Sequence, residues 1–161
     1  MAETTSLATE ILDRCIATGI RLATVESCTG GMIAAALTDI PGSSAVVERG
    51  FVTYSNEAKA ELVGVPMDLI IQHGAVSEPV AIAMAEGGLR NAPVDLAVAV
   101  TGIAGPGGGS EAKPEGLVHF ACARRGHTTA HARIEFGALG REEVRRRSAI
   151  QALEMLRSAA G

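Results

Sequence analysis

Asp95-Leu96-Ala97-Val98-Ala99-Val100-Thr101 is a nearly continuous apolar run. Its residues do not alternate with polar ones, so it reads as a strand covered on both faces rather than one with a solvated side. Such a strand needs helices above and below it, and the flanking segments supply them. Ser77 caps a predicted helix over 78–90, with Pro79 tolerated in its first turn. Upstream, the spacing of Leu7, Ile11, Leu12, Cys15 and Ile16 predicts a helix over 6–18 that Gly19 ends. Arg21–Val25 reads as a short strand, 30–38 as an alanine-rich helix stopped before Pro41-Gly42, and 46–54 as a second strand. Ser55 or Asn56 caps a helix to Val63, and Pro66 opens another to about His73. After a glycine-rich loop over 102–114, residues 117–123 and 128–136 pair as a hairpin across Arg124-Arg125-Gly126-His127. A closing helix over 141–159 places Val144, Ile150, Leu153 and Leu156 in the core. Strands alternate with helices first and form a hairpin later, which predicts an α/β fold: a three-layer α/β/α sandwich on a mixed sheet.

The bulk properties agree with one domain spanning 1–161. Aromatic residues are 2% and hydrophobic residues 47%, so the core is aliphatic. The formal charge is −4 with no basic run, which argues against nucleic acid as a partner. No apolar run approaches the ~20 residues of a membrane span, and Met1–Thr5 lacks the basic start of a signal peptide. Cys15, Cys28 and Cys122 show no metal-type spacing and read as reduced thiols of a cytoplasmic protein. An aliphatic helix face leaves a homo-oligomer open.

Chemistry concentrates in few places. Ser27, in Glu26-Ser27-Cys28-Thr29-Gly30-Gly31, sits between a strand and a glycine-opened helix. It is either a helix cap or a nucleophile activated by free backbone N–H groups. Tyr54 is the only tyrosine and Lys59 one of two lysines. A lysine at the start of a helix and partly buried is driven toward the neutral amine, a base for a serine hydroxyl; the plain alternative is a solvated lysine paired with Glu57 or Glu61. The loop from Thr101 through Gly102 and Gly105 to Ser110 is either a cradle for an anion or a flexible connection, and fits neither a Walker loop nor a dinucleotide fingerprint. Arg141 and Arg145 share a helix face, as phosphate ligands or as a solvated basic stripe. His73, His119, His127 and His131 form no metal-site pattern and read as structural.

Together, Ala23–Gly31, Gly50–Lys59, Gly74–Glu78 and Thr101–Pro106 resemble the CinA C-terminal domain family, in order and over nearly the whole chain. The resemblance implies a cofactor-free amidohydrolase that turns nicotinamide mononucleotide into nicotinate mononucleotide and ammonia in pyridine-nucleotide recycling. On that basis Ser27 corresponds to the nucleophile, Lys59 to its base and Tyr54 to a proton-relay group. Thr29, Gly30, Gly31, Thr101, Gly102 and Gly105 match substrate-holding segments, with oxyanion donors expected near Gly30 or Gly102. Arg141 and Arg145 are assigned to the substrate phosphate. The family's two-domain members carry an extra N-terminal domain for which 161 residues leave no room, and Gly107 stands where an acidic residue is expected. A non-catalytic nucleotide-binding or interaction module of the same fold, linked to competence or DNA damage, is the competing reading.

Overall fold

The computed structural model describes residues 2–161; Met1 lies outside them. Twelve segments follow one another: α1 (Ala2–Thr18), β1 (Leu22–Glu26), α2 (Met32–Thr38), a 3₁₀ turn (Ser43–Ala45), β2 (Val47–Val52), α3 (Asn56–Val63), α4 (Met67–His73), α5 (Glu78–Arg90), β3 (Leu96–Gly102), β4 (Leu117–Arg124), β5 (Ala130–Glu135) and α6 (Arg141–Ala160). The sheet order is β2-β1-β3-β4-β5. β1 runs parallel to both β2 and β3, and β4 and β5 complete the sheet as antiparallel neighbours. The expected mixed α/β sandwich is what forms.

β3 is buried along its whole apolar length, as its lack of alternation requires. Side chains of β3 point alternately to two clusters. Leu96, Val98 and Val100 join α1, α2 and α6, with Ile11, Ile33, Leu153 and Leu156. Ala99 joins α5 and the ends of α3 and α4, with Met84, Val63 and Ile70. Phe120 is the one aromatic side chain among the buried members of the two clusters, and it meets Phe136 edge-on at 6.5 Å.

Some boundaries move. α1 begins at Ala2, where Glu3 complements the positive helix end. Ile16 sits at the margin of the α1 stripe and is 53% exposed rather than core. Ile150 is likewise only half-buried, beside buried Val144, Leu153 and Leu156. β2 stops at Val52 because the chain turns toward Ser55, whose hydroxyl accepts the Ala58 amide and caps α3. The turn after α2 holds Gly42 at φ 90, where a glycine avoids the left-handed penalty.

α5 approaches its neighbours by backbone. A Cβ on Gly87 would lie 2.0 Å from the Val63 carbonyl at the end of α3, and one on Gly88 would lie 2.8 Å from Val25 Cγ2 on β1. The absence of two methyl groups thus lets α5 settle onto the sheet with α3 against it.

Candidate active site

The chain leaves β1 for β2 on one side, then returns through α3, α4 and α5 to β3 on the other side of β1. The carboxyl ends of β1 and β3 therefore flank a topological switch point, where open α/β sheets form their crevice. Ser27 follows β1 there, and Thr101 and Gly102 end β3. A cavity of about 220 Å³ opens at this place, lined by Ser27, Tyr54, Lys59, Thr101, Gly102 and Arg141, among others. A larger hollow of about 420 Å³ lies between β4, β5 and the second half of α6, away from Ser27.

With Glu26, Lys59 is one of two charged residues buried to 1% exposure among the described residues. Its Nζ donates to the Thr53 carbonyl at 2.8 Å and to Ser27 Oγ at 3.1 Å. Burial pushes the ammonium below its ordinary pKa, and Cys28 pulls weakly the other way. When Lys59 is neutral, the same short contact lets the Ser27 hydroxyl donate to the amine. Neither partner of this pair is solvated: Ser27 is 8% exposed. The adjacent Cys28 thiol is pushed by burial up to about 11, which leaves it protonated and a poor nucleophile near neutrality.

The turn that carries Ser27 differs from expectation. Ser27 does not cap α2, because Gly30 (φ 59) and Gly31 (φ 111) intervene before the helix starts. The cap is Glu26, buried to 1%, whose two carboxylate oxygens accept the amides of Ile33 and Ala34 at 3.0 and 3.1 Å. Glu26 thus takes the positive end of α2 that the sequence offered to Ser27. The Gly30 amide is spent as well, donating to the Ser27 carbonyl at 3.0 Å, so it is no oxyanion donor.

Other expected residues divide between the cavity and its walls. Tyr54 is 59% exposed at the mouth, and its phenol oxygen accepts from Arg141 Nη2 at 2.8 Å. Among the described residues no hydrogen bond joins it to Ser27 or Lys59. Arg141 also donates through Nη1 to the Gly105 carbonyl at 2.9 Å, so it spans the mouth from the glycine-rich loop to Tyr54. Thr101 Oγ1 donates to the Ala75 carbonyl and pins the loop before α5 against the end of β3. The Thr29 side chain is fully buried, and Gly31 serves as the N-cap residue of α2. Arg145 lies behind the Ser27 turn, donating Nε to the Cys28 carbonyl at 3.0 Å and Nη2 to the Thr29 carbonyl at 3.4 Å.

Sequence reasoning missed Glu26 and Asn56, which also lines the cavity. An acidic residue closing a strand that is buried throughout signals a buried carboxylate with a dedicated partner. Asn56 lies three residues before Lys59 on the same helix, a spacing that shares a face. Near the cavity, His119 on β4 stands opposite Thr101, its Nδ1 2.9 Å from His131 Nε2. Burial first, and His131 second, hold His119 down to about 4.

A model of the CinA C-terminal domain matches residues 4–160. The chain belongs to the CinA C-terminal domain family. It is 54% identical over 141 residues to a protein of Escherichia coli (strain K12) named nicotinamide-nucleotide amidohydrolase PncC, a match that covers 87% of this chain and 84% of that one. It is 55% identical over 141 residues to a CinA-like protein of Mycobacterium sp. (strain MCS), covering 88% of this chain and 33% of that one. The chain therefore spans about a third of the length of several curated relatives that it matches. Among solved structures of the family, the competence/damage inducible protein CihA from Agrobacterium tumefaciens superposes with a TM-score of 0.95 at 49% identity, covering 98% of this chain and 95% of that one.

Proposed function

We propose that this chain is an amidohydrolase that converts nicotinamide mononucleotide to nicotinate mononucleotide and ammonia, with Ser27 as nucleophile and Lys59 as its base. The observation that carries the reading is the buried 3.1 Å contact between Lys59 Nζ and Ser27 Oγ at the switch point. The similarity to the protein named nicotinamide-nucleotide amidohydrolase supports the substrate class.

Neutral Lys59 takes the hydroxyl proton as Ser27 Oγ attacks the carboxamide carbon. The carbonyl oxygen becomes an oxyanion held by backbone N–H groups of the Ser27 turn. The tetrahedral adduct collapses, the Lys59 ammonium returns the proton to the departing nitrogen, and ammonia leaves an acyl-enzyme. Lys59 then deprotonates a water that attacks the ester carbonyl, and Ser27 departs as the hydroxyl again. The depressed pKa of Lys59 makes its amine available for each proton transfer. Arg141, at the mouth, meets the phosphate by exchanging its Tyr54 contact for a phosphate oxygen. Tyr54 thereby orients Arg141, in place of the proton-relay role expected of it.

Ammonia release from nicotinamide mononucleotide tests the scheme. Wild type releases it, and Ser27→Ala, which keeps the fold, does not; equal release by both sinks the assignment of the nucleophile.

A further inference from the structure

The backbone around Ser27 leaves few of its amides unspoken for. Ser27 N donates to the Val100 carbonyl, Gly30 N to the Ser27 carbonyl and Met32 N to the Thr29 carbonyl. Ile33 and Ala34 N donate to Glu26. Among the described residues the amides of Cys28 and Gly31 donate to nothing, and neither does that of Thr29, the one whose carbonyl partner in the peptide is held by a side chain. Its direction is set by the peptide unit it shares with the Cys28 carbonyl. In a trans planar peptide, the C=O and the following N–H point opposite ways. Arg145 Nε draws that carbonyl toward α6 at 3.0 Å, so the Thr29 N–H points away from α6. Lys59 comes to Ser27 from α3, which packs with α5 in the opposite layer. The Thr29 amide thus faces the side of the sheet from which the base acts.

We infer that Arg145 is a positioning residue that holds the Ser27 turn and presents the Thr29 N–H as an oxyanion donor, rather than a ligand of the substrate phosphate. The inference rests on the amidohydrolase reading above. Three further observations carry it. Both Arg145 contacts fall on main-chain carbonyls of the nucleophile turn, one on each of two successive residues. The guanidinium packs so closely on the turn that a Cβ at Gly30 would lie 3.3 Å from Nη2. Arg141, one helical turn earlier, instead lines the cavity and spans its mouth. The two arginines of α6 therefore divide the work: one faces the solvent side of the site, the other its backbone. Glu26 completes the support from β1, so the turn is gripped through its carbonyls by a cation and through the amides that follow it by an anion.

The test compares Arg145→Ala and Arg145→Lys with wild type on nicotinamide mononucleotide and on nicotinamide riboside, the same amide without the phosphate. In parallel, the rate at which a fluorophosphonate probe phosphonylates Ser27, with loss of fluoride, is followed. The expected result for Arg145→Ala is a kcat lower by about 100-fold on both substrates, the order of one lost oxyanion donor, with KM within about twofold and Ser27 labelling slowed in step. Arg145→Lys keeps one donor for the Cys28 carbonyl and recovers part of the loss. It also serves if the alanine variant fails to fold. A KM raised about tenfold on the nucleotide alone, with kcat and labelling unchanged, would overturn the inference in favour of a phosphate ligand. If wild type releases no ammonia from either amide, the function reading fails by itself, and the labelling rates still decide the role of Arg145. Equal labelling in all three proteins then counts against it.

Discussion

Glu26→Gln removes one buried charge that, among the described residues, forms no salt bridge. In the native fold both carboxylate oxygens accept amides of α2, at 3.0 and 3.1 Å, and no side chain caps that helix from Gly31. A hydrogen bond to a charged group contributes about 1.5–3 kcal/mol. The glutamine oxygen keeps one of the two amides at the lower neutral strength, while its NH₂ group confronts the other and leaves it unsatisfied. Relief from burying a charge offsets part of this loss. The net cost is about 2–3 kcal/mol, and a domain of this length loses roughly 2–4 °C per kcal/mol, so Tm falls by roughly 4–12 °C. Glu26→Leu, which leaves both amides without a partner, falls further. Thermal unfolding at pH 7 reads the magnitude, and hydrogen exchange over 32–38 reads its location, because α2 loses protection before the sheet does. A Tm within 2 °C of wild type for the glutamine variant, or a leucine variant more stable than wild type, refutes the reasoning that this carboxylate anchors α2.

Two pH predictions follow from buried bases. Because Lys59 is held below its ordinary 10.5, the rising limb of kcat/KM against pH lies below that value, and Lys59→Met abolishes turnover with it; a limb at the ordinary lysine value removes the burial argument. The linked stability has a definite sign. The unfolded chain takes up the lysine proton first, so the wild-type Tm moves down relative to Lys59→Met as pH falls from the ordinary value through the folded one. His119, held to about 4 against an ordinary 6.5, acts the same way at lower pH. Wild type loses at most about 3 kcal/mol relative to His119→Gln as pH falls from 6.5 to 4, and parallel urea-midpoint curves for the two proteins would show that the pair with His131 takes the proton without strain.

Much of the layered architecture is legible in Asp95–Thr101, because a run with no polar alternation has only one stable setting, between two helical layers. The hairpin is equally plain, since Gly126 punctuates two strand-like segments. What the local pattern does not carry is the placement of β1 between β2 and β3, since that depends on which way a crossover closes. The site follows the same division. Ser27, Tyr54 and Lys59 stand out by rarity and position, and the fold brings all three to one cavity. The contacts of Arg145 do not read from spacing, because their acceptors are carbonyls more than a hundred residues away, and main-chain acceptors leave no mark in a sequence. Glu26 was obscured by its neighbour: a serine before glycines looks like a cap, and only the two intervening residues with positive φ show that the helix starts too late for it.

The glycine pair on α5 carries a consequence for how this site can change. Lys59 is a residue of α3, and α3 rests with the Val63 carbonyl where a Gly87 side chain would be. The reach from amine to hydroxyl is therefore calibrated by a helix that carries neither group. A methyl group added there acts as a shim, lifting the base from its acceptor without altering any residue of the cavity. Loop exchange alone can retune what enters such a pocket, but its reactivity is inherited from the scaffold beneath it.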